Sequence, residues 1–120
     1  KKKLNHLKQI TSNYNNLFFT LALSYGSRSE ILNSVRKIIK NKVKIIKEKH
    51  INENLMTKNI PDPDLVIRTS GEKRLSNFLL WQIAYSELYF TKTLWPEFSV
   101  SKYILALNDY MNRKRRFGGD

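Results

Sequence analysis

PDPDLVIRTSGEKRLSNFLLWQ, running from Pro61 to Gln82, is the stretch from which the rest of the chain can be read. Pro61 and Pro63 stop any preceding helix, and Asp64-Leu65-Val66-Ile67 is an apolar run of strand length. Arg68 closes the run, and Thr69-Ser70-Gly71 is a turn signal. Arg74 follows, and Ser76 is placed to cap a helix carrying Phe78, Leu79, Trp81, Ile83 and Tyr85. Two planar guanidinium groups and a hydroxyl beside a glycine turn and a helix start suit an anion, and a diphosphate is the natural guest. Spacing alone leaves another reading open, in which Arg68 pairs with Asp64 or Glu72 and Ser76 is only a cap.

Upstream, Leu17-Phe18-Phe19-Thr20-Leu21-Ala22-Leu23 is a continuous apolar run that predicts a strand buried on both faces. It stops at Ser24-Tyr25-Gly26. Ser27 and Glu30 then form an S-x-x-E pattern that predicts a capping box. Ile31, Leu32, Val35, Ile38, Ile39, Val43 and Ile46 recur at helical steps, with lysines on the remaining surface. Strand, crossover helix, strand is a βαβ unit, so the two strands are expected to be parallel. The fold class is therefore α/β, a parallel-sheet core with flanking helices. Ligands in such sheets bind beyond the carboxyl ends of strands, here residues 25–28 and 68–71.

The flanks add further elements. Leu4, Leu7 and Ile10 predict a short helix within Lys1–Asn16, and the abrupt start without methionine predicts that the natural N-terminus lies upstream. Glu87–Thr91 alternates as a further strand, Trp95–Phe98 is a turn, and Val100, Tyr103, Ile104, Leu107, Tyr110 and Met111 mark a last helix. His50 has no partner cluster and reads as a surface histidine. Arg113–Arg116 opens a basic tail that ends Phe117-Gly118-Gly119-Asp120.

Composition narrows the classes. The chain has 120 residues, 41% hydrophobic, enough for one domain or part of one. It has no cysteine, so neither a disulfide framework nor a thiolate zinc site is available, as suits a cytoplasmic protein. No apolar run is long enough to span a bilayer. The net charge of +12 points to an anionic partner, or to nothing beyond a solvated lysine face in a Lys-, Asn- and Ile-rich chain. Nucleic acid is a rival on charge alone, since no DNA- or RNA-binding motif is present. No Ser-His-Asp, Cys-His or paired-carboxylate arrangement can be assembled, which leaves hydrolytic catalysis without support. Glu87 is the one acid near the end of the aromatic segment, and by itself reads as a strand glutamate.

DLVIRTSGEKRLSNFLLWQIAYSELYFTKTLWPEF closely resembles the C-terminal signature of the cis-prenyltransferases, in particular the bacterial undecaprenyl diphosphate synthases. LALSYGSRSEI is similar to the family's strand-to-helix segment, and NRKRRFGG to its terminal arginine-x-glycine element. The resemblance covers essentially the whole chain in the right order. It implies the C-terminal part of a single cis-prenyltransferase domain over residues 1–120.

The reaction so implied is repeated addition of isopentenyl diphosphate to an allylic diphosphate such as farnesyl diphosphate. Each cycle makes a cis double bond and expels diphosphate with Mg2+ assisting, towards an undecaprenyl-type membrane lipid. By matching positions, the resemblance assigns Arg68, Arg74, Leu75 and Ser76 to the diphosphate of isopentenyl diphosphate. It assigns Glu87 to magnesium, and Arg116 and Gly118 to phosphate across a homodimer interface. A cytoplasmic protein, or one peripheral to the membrane, is expected.

The departures are specific. The family's D-G-N-x-R-W-A motif, with its magnesium aspartate, is not in this sequence, so the chain is expected to be inactive alone. Ser24 and Ser27 stand where the family usually has Asn and a second Gly. Lys73 stands where some members carry a histidine. A non-catalytic partner subunit and, at longer odds, a basic nucleic-acid module are the alternatives.

Overall fold

Leu65–Arg68 (β1) and Glu87–Phe90 (β2) form a parallel pair in the computed structural model, which describes residues 2–114. The register runs from Leu65 opposite Glu87 to Arg68 opposite Phe90. Around the pair lie α1 (Lys2–Ile10), α2 (Ser27–Lys40), α3 (Glu48–Asn52) and α4 (Val100–Met111), with one turn of 3-10 helix at Trp95–Glu97. The fold class is α/β, with a parallel sheet and flanking helices, as the sequence implies. β1, β2, α1 and α4 are found where the sequence predicts them.

The parallel partners differ from the expected ones. Residues 17–23 form no strand, and Leu17, Phe18 and Phe19 are each about four-fifths exposed. A strand needs a neighbour to take its backbone hydrogen-bonding groups. Among the described residues the sheet has two strands, and these pair with each other. The connection across the pair is thus residues 69–86, which run as turns.

The helix expected from Ser76 does not form. Ser76, Asn77 and Leu79 have φ of 50°, 63° and 46°, in the left-handed region that a right-handed helix excludes. α2 also stops earlier than its apolar pattern, with Asn41 at its C-cap and Lys42 at φ 56°. Val43 still packs on the core from beyond that break, while Leu32 and Ile39, expected on the buried stripe, are exposed. That core is small. Ile38, Ile51 and Leu55 join α2 to α3, with Val35, Val43 and Trp81 against them. The radius of gyration is 17.2 Å, against about 14 Å for a compact chain of this length. Much apolar surface therefore stays outside.

The expected capping box is displaced by one residue. Gly26, extended at φ −151°, is the N-cap, and Ser27 is the first helical residue. Ser27 Oγ accepts from the Leu80 N–H at 3.0 Å. Glu30, one turn in, is 5% exposed and turns inward. It accepts from the Met56 N–H at 2.8 Å, from Gln82 Nε2 at 3.1 Å and from the Tyr25 hydroxyl. His50 is half-buried, and its Nδ1 accepts from the Lys47 N–H at 3.0 Å, at the start of α3.

Two outcomes follow from the Glu30 contacts. Glu30→Ala strands three donors and is expected to destabilise the chain by about 3 kcal/mol in denaturant unfolding. Wild-type stability would exclude a hub at Glu30. Burial, with the hydrogen bond to Glu30, raises the Tyr25 pKa above its ordinary 10.0. The folded state therefore holds the phenol proton after the unfolded chain has released it. That contribution is complete below pH 10.0 and lost as pH rises through the folded value. Tyr25→Phe is expected to flatten the alkaline limb of a stability-versus-pH curve.

Candidate functional site

The carboxyl ends of β1 and β2 lie side by side because the strands are parallel, and two loops leave from there. Arg68 ends β1, half-buried, and its carbonyl accepts from the Thr91 N–H at 2.9 Å. Ser70 and Gly71 then take left-handed φ of 69° and 72°. Their N–H groups donate to Thr93 and Thr91 at 2.9 and 2.8 Å, so the turn after β1 is tied to the segment after β2. Thr-Ser-Gly suits this, since glycine takes positive φ without steric cost.

Beyond this turn the loop carries Glu72, Lys73, Arg74, Leu75 and Ser76. Arg74 pairs with Glu72, and the two side chains are 67% and 38% exposed. Such an exposed pair is worth less than about 1 kcal/mol, so a doubly charged anion can take the guanidinium from it. Of the pairings left open by the sequence, Glu72 therefore goes to Arg74. The Phe78 N–H donates to the Leu75 carbonyl at 3.0 Å, which closes a turn around Ser76 and Asn77. Arg68, Arg74, Leu75 and Ser76 are thus carried on one loop at the carboxyl edge of the sheet.

Next to that loop is an apolar cavity of about 380 Å³, lined in part by Leu21, Leu23, Tyr25, Ile60, Phe78 and Leu79. Tyr25 meets Phe78 edge to face, with ring centroids 5.8 Å apart. Phe78 and Leu79, which follow that loop in sequence, line this hollow, and its apolar walls suit a hydrocarbon body.

Glu87 sits elsewhere. It opens β2 opposite Leu65, three strand residues or about 10 Å of backbone from the end that Arg68 marks. Its Oε2 accepts from Arg113 Nη1 at 2.7 Å, and the same nitrogen donates to the Leu88 carbonyl at 3.1 Å. Arg113 Nε also donates to Asp109 at 2.8 Å. The bond to Glu87 is the chief reason the Arg113 pKa is raised. Magnesium takes six oxygen ligands, commonly one or two carboxylates together with waters and substrate phosphates. Glu87 offers one such carboxylate, paired here with Arg113, and the described residues gather no cluster of three potential metal ligands. Arg116 and Gly118 lie outside the described residues.

Three residues of this region were not singled out from the sequence as organising groups: Glu30, Asn77 and Arg113. For Glu30 a signal exists, because it is the sole acid between Lys1 and Lys47. Arg113 was hidden in the basic run of the tail. Asn77 has no local signature, since its partners lie at the start of α2.

A family model described as "Putative undecaprenyl diphosphate synthase" matches residues 1–118. The chain is 47% identical over 117 residues to an isoprenyl transferase of Aquifex pyrophilus, covering 98% of the chain and 51% of that relative. It is 49% identical over 118 residues to an isoprenyl transferase of Fusobacterium nucleatum, covering 98% and 51%. Among solved structures, lavandulyl diphosphate synthase from Lavandula x intermedia, in complex with dimethylallyl diphosphate, superposes with a TM-score of 0.90. The identity is 36%, covering 98% of this chain and 53% of that one. A probable undecaprenyl diphosphate synthase from Campylobacter jejuni gives a TM-score of 0.83 at 35% identity, covering 98% and 55%. The chain spans about half the length of the curated relatives it matches.

Proposed function

The chain belongs to the undecaprenyl diphosphate synthase family of prenyltransferases, and we propose that it supplies the isopentenyl diphosphate site of a cis-prenyltransferase. The observation that carries this reading is the loop from Arg68 to Ser76 at the carboxyl edge of the parallel pair, with Arg74 held only by an exposed ion pair to Glu72. Arg68 and Arg74 bind the diphosphate, Ser76 donates its hydroxyl, and the Leu75 backbone lies in the same loop. Planar guanidinium groups recognise phosphate oxygens two at a time, which a lysine cannot copy.

In the proposed reaction isopentenyl diphosphate condenses with an allylic diphosphate, farnesyl diphosphate in the undecaprenyl case. A new carbon–carbon bond forms as the allylic carbon–oxygen bond breaks and diphosphate departs, and a proton leaves the isopentenyl C2 to the released diphosphate or water as the new double bond forms. Negative charge grows on the leaving group, so fixed cations nearby favour the reaction. What this chain's residues do is hold and orient the isopentenyl partner and neutralise its head. Magnesium and a homodimer, with Arg116 and Gly118 reaching a neighbouring phosphate, belong to the same reading. So do a lipid product and a cytoplasmic or membrane-peripheral location. Glu87 is the magnesium carboxylate that this half contributes, the other ligands come from elsewhere, and the chain alone is inactive.

Calorimetric titration with isopentenyl diphosphate tests the site. Arg68→Ala and Arg74→Ala are each expected to weaken binding by about 10- to 100-fold, the worth of one charge-assisted contact. Wild-type affinity in both variants would remove the assignment. Turnover of farnesyl and isopentenyl diphosphates by this chain alone would refute its inactivity. Salt-sensitive RNA binding indifferent to Arg74→Ala would favour the nucleic-acid alternative instead.

A further inference from the structure

The segment that follows Ser76 is fastened to the amino end of α2 by contacts between residues far apart in sequence. The Asn77 carbonyl accepts from the Ser27 N–H at 2.9 Å. The Asn77 side chain accepts through Oδ1 from the Arg28 N–H, also at 2.9 Å, across a separation of 49 residues. Both donors belong to the first turn of α2, whose N–H groups have no partner within the helix. Asn77 therefore caps α2 from a distance. The Leu80 N–H donates to Ser27 Oγ at 3.0 Å and closes the junction on its other side.

The residue type is well matched to this place. Asn77 sits at φ 63°, a left-handed conformation that asparagine tolerates better than most residues, and its short amide supplies the acceptor. Gly26 leaves room for it, since a Cβ there would come within 2.9 Å of Asn77 Nδ2. The Ser27 and Arg28 N–H groups at this helix end are both taken by Asn77.

We infer that Asn77 is a positioning residue, which holds Ser76 and the Arg74 loop in the conformation that receives a diphosphate. This rests on the reading of Arg68, Arg74 and Ser76 as the diphosphate site. Without the Asn77 amide, the turn at Leu75–Phe78 loses one of its three hydrogen-bonded ties to α2, and the binding-competent loop becomes a fraction of the population. Apparent affinity falls by that fraction. Asn77 itself makes no contact with the ligand.

Titration of inorganic pyrophosphate into the 120-residue chain tests the inference. Asn77→Gly keeps the left-handed backbone and the carbonyl and removes only the side-chain acceptor. It is expected to bind about fivefold more weakly, with its thermal midpoint within a few degrees of the wild type. Asn77→Asp keeps an acceptor for the Arg28 N–H. It is expected to recover wild-type affinity to within about twofold at an ionic strength that screens the added charge. Arg74→Ala reports on the site itself.

Wild-type affinity in Asn77→Gly, with binding lost in Arg74→Ala, overturns the positioning role and leaves the diphosphate site standing. Wild-type affinity in both variants, or no binding by the wild type, overturns the site and the positioning role with it. Equal weakening in the Gly and Asp variants also overturns the role, because the acceptor would then not matter. If Asn77→Gly does not fold, Gly26→Ala replaces it by pressing a methyl group on the Asn77 amide. Weaker pyrophosphate binding in that variant supports the inference, and wild-type binding overturns it.

Discussion

The Glu30 carboxylate is the constraint on which the rest of the chain depends. It is nearly inaccessible and receives hydrogen bonds from Tyr25, Met56 and Gln82, which lie before α2, after α3 and on the turn-rich crossing between the strands. Burying a carboxylate costs several kcal/mol, which is offset only when its oxygens are well supplied with donors. Here they are, in a chain whose fully buried apolar side chains are few. A small core is weakly selective about how its segments meet. A buried acceptor with three fixed donors is strongly selective, because a slipped register leaves it unpaired.

That selectivity propagates to the loop of interest. Gln82 also donates to Thr57 at 2.9 Å, and Trp81 donates to Asn52 at 2.7 Å, so the crossing is held against α3 and the loop after it. With its carboxyl-terminal part so held, and Asn77 fastened to α2, the crossing can leave the helical path at Ser76 and remain ordered. The left-handed residues there cost conformational energy that surrounding contacts have to outweigh. The same contacts set where Arg74 and Ser76 emerge. Packing far from the loop therefore decides its shape.

Legibility in the sequence divides along the same line. β1, β2, the Trp95–Glu97 turn and α4 are signalled by proline, alternation or helical spacing within a few residues, and all are present. The apolar run at 17–23 has the composition of a strand, but composition cannot supply the neighbour it needs. The S-x-x-E pattern marks a real helix start, yet a shift of one residue turns Glu30 from cap to buried hub. Arg68, Arg74 and Ser76 group together in the sequence because one short stretch carries them. The contact of Asn77 with Arg28 spans 49 residues and leaves no local trace.

The charged groups of the site fall into two sets that this chain keeps apart. Arg68, Arg74 and Ser76 belong to the carboxyl edge of the parallel pair, whereas Glu87 opens β2 and is held by Arg113 at the end of α4. The register of a four-residue strand pair fixes that separation, and no side-chain rotation shifts the backbone positions. Holding an anion requires only the loop, because guanidinium groups are charged at every relevant pH. Magnesium is commonly held by one or two carboxylates with waters and substrate phosphates, and Glu87 offers one such carboxylate. Glu87 contributes first to joining α4 to the sheet, through Arg113 and its bond to Asp109.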